Sequence, residues 1–259
     1  MAGIKLSRKV FQVFFLAAGI SLAVRLLLGL THRTVEYYCP MGGLVSLYGL
    51  FQRQQFICAL SEMNLSLALA LLVAVVLTKR SFCGWVCPLG TVFEALSWIR
   101  SKFLGRETLR IPDRADAVLA RLKYVVLGLI LLLTYRASEL VFRGYDPFYI
   151  LFTGGKGHGV VPVVSMVVIG GVVGLSFIFE MAWCRYLCPL AASMDPFSRF
   201  GLLKVRRHSR QCSSCGVCDR VCPQRIPVSR LAKVKRADCT NCFECITECP
   251  KPGALDFGI

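Results

Sequence analysis

Two stretches of the chain, CSSCGVCDRVCP and CTNCFECITECP, space their cysteines alike and place a proline after the last. They supply Cys212, Cys215, Cys218 and Cys222, then Cys239, Cys242, Cys245 and Cys249. In this C-x2-C-x2-C-x3-C-P run, a turning loop sets the first three thiolates on three corners of one cubane and aims the fourth at a second cluster. The spacing therefore assigns Cys212, Cys215, Cys218 and Cys249 to one [4Fe-4S] cluster, and Cys239, Cys242, Cys245 and Cys222 to another. Structural zinc takes four ligands in paired spacings, which a duplicated three-plus-one arrangement with Pro223 and Pro250 suits poorly. Disulfides are disfavoured in a reducing cytoplasm. So small a segment buries little apolar surface, so the clusters also hold it together.

A second constellation is the pair CGWVCPLG and CRYLCPL, which carry Cys83, Cys87, Cys184 and Cys188. Three readings apply. Four thiolates from two repeats can close a third metal site, most simply an iron-sulfur cluster. The Cys-Pro-Leu turns can instead merely end one helix and start another, with the cysteines packed as small apolar residues. Each pair can also cycle as redox thiols, although it lacks the C-x-x-C spacing. The metal site is preferred, because packing alone does not explain duplicated cysteine pairs beside a cluster domain.

The elements that position these residues are apolar. Of 259 residues, 55% are hydrophobic and only 18% charged, against about 25% charged in soluble domains. With a mean hydropathy of +0.59, this is the composition of a membrane protein. A span takes roughly 20 apolar residues, and four segments qualify: Val10 to Leu30, Ala59 to Leu77, Leu122 to Thr134 with its flanks, and Val160 to Phe179. Lys and Arg gather before the first span, from Lys79 to Lys123, and from Arg185 onward. The opposite loops and their margins hold Arg33, Arg53, Arg136, Arg143 and Lys156. That asymmetry places both termini in the cytoplasm of a multi-pass inner-membrane protein. It also gives the net charge of +16 a topogenic reading, and no nucleic-acid recognition element accompanies it. The first span reads as uncleaved, with no small-residue cleavage site after a short apolar core. Arg25 within it reads as snorkelling to the interface before it reads as functional.

The chain reads as duplicated. Each half runs from a span to an outer loop, to a second span, and to a Cys-x3-Cys-Pro element inside. The Tyr-Cys-Pro at Cys39 aligns with the Tyr-Asp-Pro at Asp146. A pseudo-twofold axis along the membrane normal would gather Cys83, Cys87, Cys184 and Cys188 at the inner face. The segment Thr91 to Ile99 has an amphipathic helical pattern and lies along that face. On the outer face Cys39 can pair with Cys58 as a disulfide, or with Asp146 across the axis as a polar or metal-binding site. The second is preferred because the duplication aligns those two positions. A quinone site needs an apolar pocket with a few polar groups. Candidates are His32, Glu36, Tyr37, Glu62 and His158 outside, and Glu180 inside, since a carboxylate at an apolar margin needs a partner or a proton.

The fold expected is mainly α: a duplicated four-transmembrane-helix domain over residues 1–203, then a cytoplasmic bacterial-type 2[4Fe-4S] ferredoxin domain over residues 204–259. The second is basic at Lys204, Arg206, Arg207, Arg210, Lys233, Lys235 and Arg236, residues that can dock an acidic redox partner or rest on anionic lipid headgroups.

These motifs, with CPMGG at Cys39 to Gly43 and DPF at Asp146 to Phe148, resemble the NapH-type family of membrane polyferredoxins, which includes the quinol dehydrogenase membrane subunit of periplasmic nitrate reduction and the membrane part of NosR-type proteins. The resemblance implies electron transfer between a quinone or quinol pool and other redox subunits of a hetero-oligomeric complex. A different class is a maturation factor that supplies electrons for building another enzyme's metal site. A redox-sensing regulator has no recognisable output domain here. No c-type haem motif or Rossmann-like signature is present.

Overall fold

Helix α1, Ala2–Leu27, is apolar around most of its circumference, and Leu6, Val10, Val13 and Phe14 all stand exposed. A soluble protein's core helix would be mostly buried, so this exposed apolar surface suits a lipid or partner surface. The computed structural model describes residues 2–30, 62–104, 112–137, 146–153 and 162–258. His32, Glu36, Tyr37, Cys39, Cys58 and His158 lie outside the described residues.

Helix α2 is Glu62–Thr78. It turns Ala68, Leu71 and Val75 inward at helical spacing and leaves Leu69 and Val73 exposed. A short helix α3, Ser81–Trp85, carries Cys83, and α4, Pro88–Leu104, follows Cys87. Then come α5, Asp113–Leu119, and α6, Leu122–Ala137. A seven-residue helix α7, Pro147–Thr153, precedes α8, Pro162–Ile178. A π-helical turn, Trp183–Leu187, carries Cys184, and α9, Pro189–Ser198, follows Cys188. By length and composition, Gly3–Leu27 and Arg114–Arg136 are able to cross a membrane, while Leu65–Thr78 and Met166–Ile178 are shorter apolar helices.

The packing crosses between the halves. Helix α4 packs on α1 and on α8, and α9 packs on α6 and on α2. Each post-cysteine helix thus lies against the first long helix of its own half and the second of the other. Leu89 and Phe93 of α4 are buried against Val172 of α8, and Met194 of α9 against Leu71 and Val75 of α2. The amphipathic segment expected near residues 91–99 is this α4, with Trp98 and Phe103 exposed on its other side.

The rest of the chain forms a small cysteine-rich unit. Strand β1, Lys204–Arg207, pairs antiparallel with β2, Leu255–Gly258, in the register Lys204 to Gly258. Between them lie α10, Val217–Arg220, a 3-10 turn, Val228–Arg230, and α11, Glu244–Thr247. Val205, Ile226, Val228, Val234, Ile246 and Leu255 form its core.

Candidate iron-sulfur sites

The two cysteine loops of the small unit share a backbone as well as a spacing. Ser214 and Gly216 have φ of 56° and 68°, and their counterparts Asn241 and Phe243 have φ of 43° and 59°. Left-handed residues on either side of the second cysteine turn the chain so that its amides face inward. The Ser214 N–H donates to the Cys212 sulfur and the Val217 N–H to that of Cys215. The Asn241 N–H donates to Cys239 and the Glu244 N–H to Cys242 in the same way. Such donors favour the thiolate, the form that binds iron. A left-handed phenylalanine is an outlier. Phe243 is held there between Trp85, with ring centroids 6.3 Å apart, and Phe257, at 5.0 Å.

Each loop faces a cavity that the other completes. Cys239, Cys242, Cys245 and Cys222 line one of about 360 Å³, walled by Val205, Ile226 and Val234. Cys212, Cys215, Cys218 and Cys249 line one of about 340 Å³. Four thiols around one cavity are the donor set of a cubane, so the residues present fit the group. Among the described residues no three Cys, His, Asp or Glu side chains are grouped to hold a single metal ion. A cluster, with its irons lying between the thiolates, takes a wider spacing.

The surroundings of the two cavities differ. Burial pushes the thiols of Cys222, Cys239, Cys242 and Cys245 up, Cys222 to about 12. On the other loop, backbone amides hold Cys212 and Cys215 below the ordinary thiol range, and the Cys215 side chain is exposed. Cys218 alone in that loop is buried, which pushes it up to about 11.

Cys83, Cys87, Cys184 and Cys188 come together between the halves. Burial pushes Cys83, Cys87 and Cys188 up to about 12 and Cys184 well up, and each is raised further by the charge of one or more of the others. Cys87 and Cys188 directly precede Pro88 and Pro189, each the first residue of a helix, where a missing N–H costs nothing. Their sulfurs accept amides from that first turn: Leu89 and Gly90 for Cys87, Ala191 for Cys188. Gly90 is required, since a Cβ there would stand 2.4 Å from the Cys83 carbonyl oxygen. Four buried thiols that raise one another are poor company without a cation. Arg80 lowers Cys83, Cys184 and Cys188, and cluster iron would supply more positive charge.

Asp146 departs from its expected outer position. It caps α7, accepting the Phe148 N–H at 3.0 Å, is buried, and lies within electrostatic reach of Cys87 and Cys188. Helix α7, packed against α1 and α8, carries it toward these cysteines, while its expected partner Cys39 lies outside the described residues. Glu62 is the first residue of α2, and Glu180 stands four residues before Cys184, in the turn after α8.

The first Cys-x3-Cys element docks on the inner cluster loop. The Trp85 Nε1–H donates to the Asn241 carbonyl at 3.0 Å, and a Cβ on Gly84 would meet the Thr240 carbonyl at 3.1 Å. Arg8 Nε and Gln12 Nε2 donate to the Gly84 carbonyl, each at 3.0 Å. Arg8 also pairs with Glu244 at 2.6 Å and with Glu94, while Lys5 reaches Glu248 at 2.7 Å. A buried network joins Arg80 and Lys123 to Asp195 and Asp238, with Lys123 to Asp238 at 3.0 Å. The Tyr124 hydroxyl donates to Asp195 at 2.7 Å. Burial opposes the charge of Asp238, yet Lys123 and Arg80 bring its carboxyl down to about 2. Arg185 and Tyr186, both within the second element, hold Asp116. In the sequence, Arg8, Arg80, Lys123 and Arg185 carry only a topogenic signal. Their partners are remote along the chain, and no local pattern announces them.

Known proteins place this architecture in a class of iron-sulfur electron carriers. A family described as "4Fe-4S binding domain" matches twice, at residues 62–107 and 161–208, so that each match contains one Cys-x3-Cys-Pro element. A "4Fe-4S dicluster domain" matches residues 204–250. The chain is 31% identical over 235 residues to the putative electron transport protein YccM of Escherichia coli, covering 87% of this chain and 64% of that protein. It is 37% identical over 191 residues to the uncharacterized protein MJ0750 of Methanocaldococcus jannaschii, covering 72% and 76%. It is 27% identical over 209 residues to the ferredoxin-type protein NapH of Escherichia coli, covering 74% and 69%. No solved structure matches. The chain belongs to the NapH-related family of ferredoxin-type proteins with 4Fe-4S domains.

Proposed function

We propose that this chain is a membrane-spanning electron-transfer subunit that links the quinone or quinol pool to redox partner proteins through three [4Fe-4S] clusters. In this reading α1, α2, α6 and α8 are four spans, and the small unit lies on the cytoplasmic side, where the Lys and Arg residues gather. Cys83, Cys87, Cys184 and Cys188 hold one cluster, Cys222, Cys239, Cys242 and Cys245 the second, and Cys212, Cys215, Cys218 and Cys249 the third. Bound clusters supply one-electron redox chemistry whose potential follows charge, hydrogen bonding and solvent exposure. The chain's own residues hold them in sequence. Trp85 lies inside the first Cys-x3-Cys element and its indole donates to Asn241, between Cys239 and Cys242. That contact carries the reading, because it ties the membrane thiols to the inner cluster loop through one side chain.

Iron and sulfide analysis of the protein in nanodiscs tests it. With three cubanes it gives about twelve of each per chain, and about eight with the tail clusters alone. Cys83→Ala lowers the count only if the membrane thiols hold a cluster. Rapid bleaching of the cluster absorbance by a water-soluble quinol supports the quinone link. A full set of clusters that no quinol reduces supports instead the maturation role, in which the electrons serve construction of another enzyme's metal site.

A further inference from the structure

The cavity lined by Cys212, Cys215, Cys218 and Cys249, here the outer one, opens to solvent through a predominantly basic rim. Cys215 is exposed, and Ser213 and Ser214 beside it are small and exposed, so a partner surface can come close to a cluster held there. Arg207 and Lys251 line the cavity, Arg220 acts electrostatically on Cys215, and Arg210 stands exposed two residues before Cys212. Arg210, Arg220 and Lys251 form no ion pair with an acid among the described residues, whereas the unit's acids have partners of their own, Asp219 with Ser229 at the cavity itself and Asp256 with His208 at 3.2 Å. Glu244 and Glu248 pair with Arg8 and Lys5 of α1, Asp238 with Lys123, and Asp219 accepts the Ser229 N–H at 2.7 Å. The contacts to the long helices engage the inner loop, while α10 of the outer loop packs on α11 and the 3-10 turn.

Building on the electron-transfer reading, we infer that this basic rim is the docking surface for an acidic, soluble one-electron carrier. Complementary charge steers such a carrier to the cavity mouth and fixes its orientation, with a strong dependence on salt. The exchange moves one electron between the cluster held by Cys212, Cys215, Cys218 and Cys249 and the carrier. In the outward direction the cluster is oxidised by one unit and the carrier reduced by one, and no bond or proton is transferred.

The test uses the full chain in nanodiscs and, as probe, an acidic plant-type [2Fe-2S] ferredoxin. The triple variant Arg210→Glu, Arg220→Glu, Lys251→Glu weakens probe binding about tenfold or more at low salt, and the difference shrinks as salt is raised. Lys233→Glu with Lys235→Glu, exposed and away from the cavity, leaves it unchanged. Unaltered iron content and cluster spectra show that the variants are folded, and the milder glutamine triple variant gives an intermediate loss. Equal loss in both charge-reversal sets, or none in either, overturns the inference. So does a triple variant that still binds the ferredoxin but no longer binds phosphatidylglycerol vesicles, since the rim would then be a lipid contact. Wild-type clusters that dithionite reduces but no quinol does overturn the quinone link and leave the docking result standing.

Discussion

One sequence motif occurs twice in the small unit, and the fold gives its copies opposite surroundings. The loop from Cys239 to Cys245 is covered by Trp85 and α1, and burial raises its thiols. The loop from Cys212 to Cys218 shares its left-handed positions and its amide donors, yet Cys215 is exposed and its thiol is held down. Loop geometry is thus set by the motif, whereas polarity and access are set by what packs on it. A buried cluster and an exposed one differ in potential for that reason, so the two copies are suited to different steps of one route.

Removing a ligand from each loop separates them most. Cys242→Ser is expected to cost about four irons per chain and to release the small unit from α1 and Trp85, seen as new protease sites around residues 200–210. Cys215→Ser is expected to cost the same iron and keep the docked interface. If both variants are cleaved alike, the contrast is not structural. Chelation by EDTA under mild oxidation should remove iron in two phases, the outer four first, with Cys215→Ser lacking the fast phase.

A smaller effect comes from the clasp. Arg8→Ala removes the buried guanidinium that joins Glu94 to Glu244 and leaves the Gly84 carbonyl to Gln12 alone, a loss of about 3 kcal/mol by analogy with other broken buried pairs. It should lower the unfolding midpoint of the inner unit while sparing the outer cluster's spectrum. Smaller still is the pH response of Asp238. Its carboxyl is brought from an ordinary value near 3.8 to about 2. Its stabilisation is therefore fully present above pH 4 and is lost as pH falls through about 2. A shift of that size is on the order of 2 kcal/mol. Asp238→Asn should lower stability at pH 7 by about that amount and flatten the acid limb of the stability-against-pH curve, read from tryptophan fluorescence.

The sequence made some of this visible and hid the rest for physical reasons. The cross-completed cysteine sets follow from spacing, because a cubane is a local object that a short loop can wrap. The amphipathic face of α4 follows from periodicity, with Leu89 and Phe93 one helical turn apart. The place of Asp146 near Cys87 and Cys188 depends on how α7 packs against α1 and α8, which alignment of the two halves does not encode. Lys123 and Asp238 are 115 residues apart, and no pattern in either segment names the other. Lys and Arg beside a span already have a topogenic reason to be there, so their second use as interface pairs leaves no separate mark in the sequence.

The clasp also orders biogenesis. Arg8 and Glu244 are separated by 236 residues, which at about 5 to 20 residues per second puts the acid roughly 10 to 50 s behind its partner on the ribosome. Through that interval Arg8 has Glu94 and the Gly84 carbonyl but not its second carboxylate, and α4 waits for α8. The contacts of α1 are therefore completed only once the cysteine-rich unit has folded onto it.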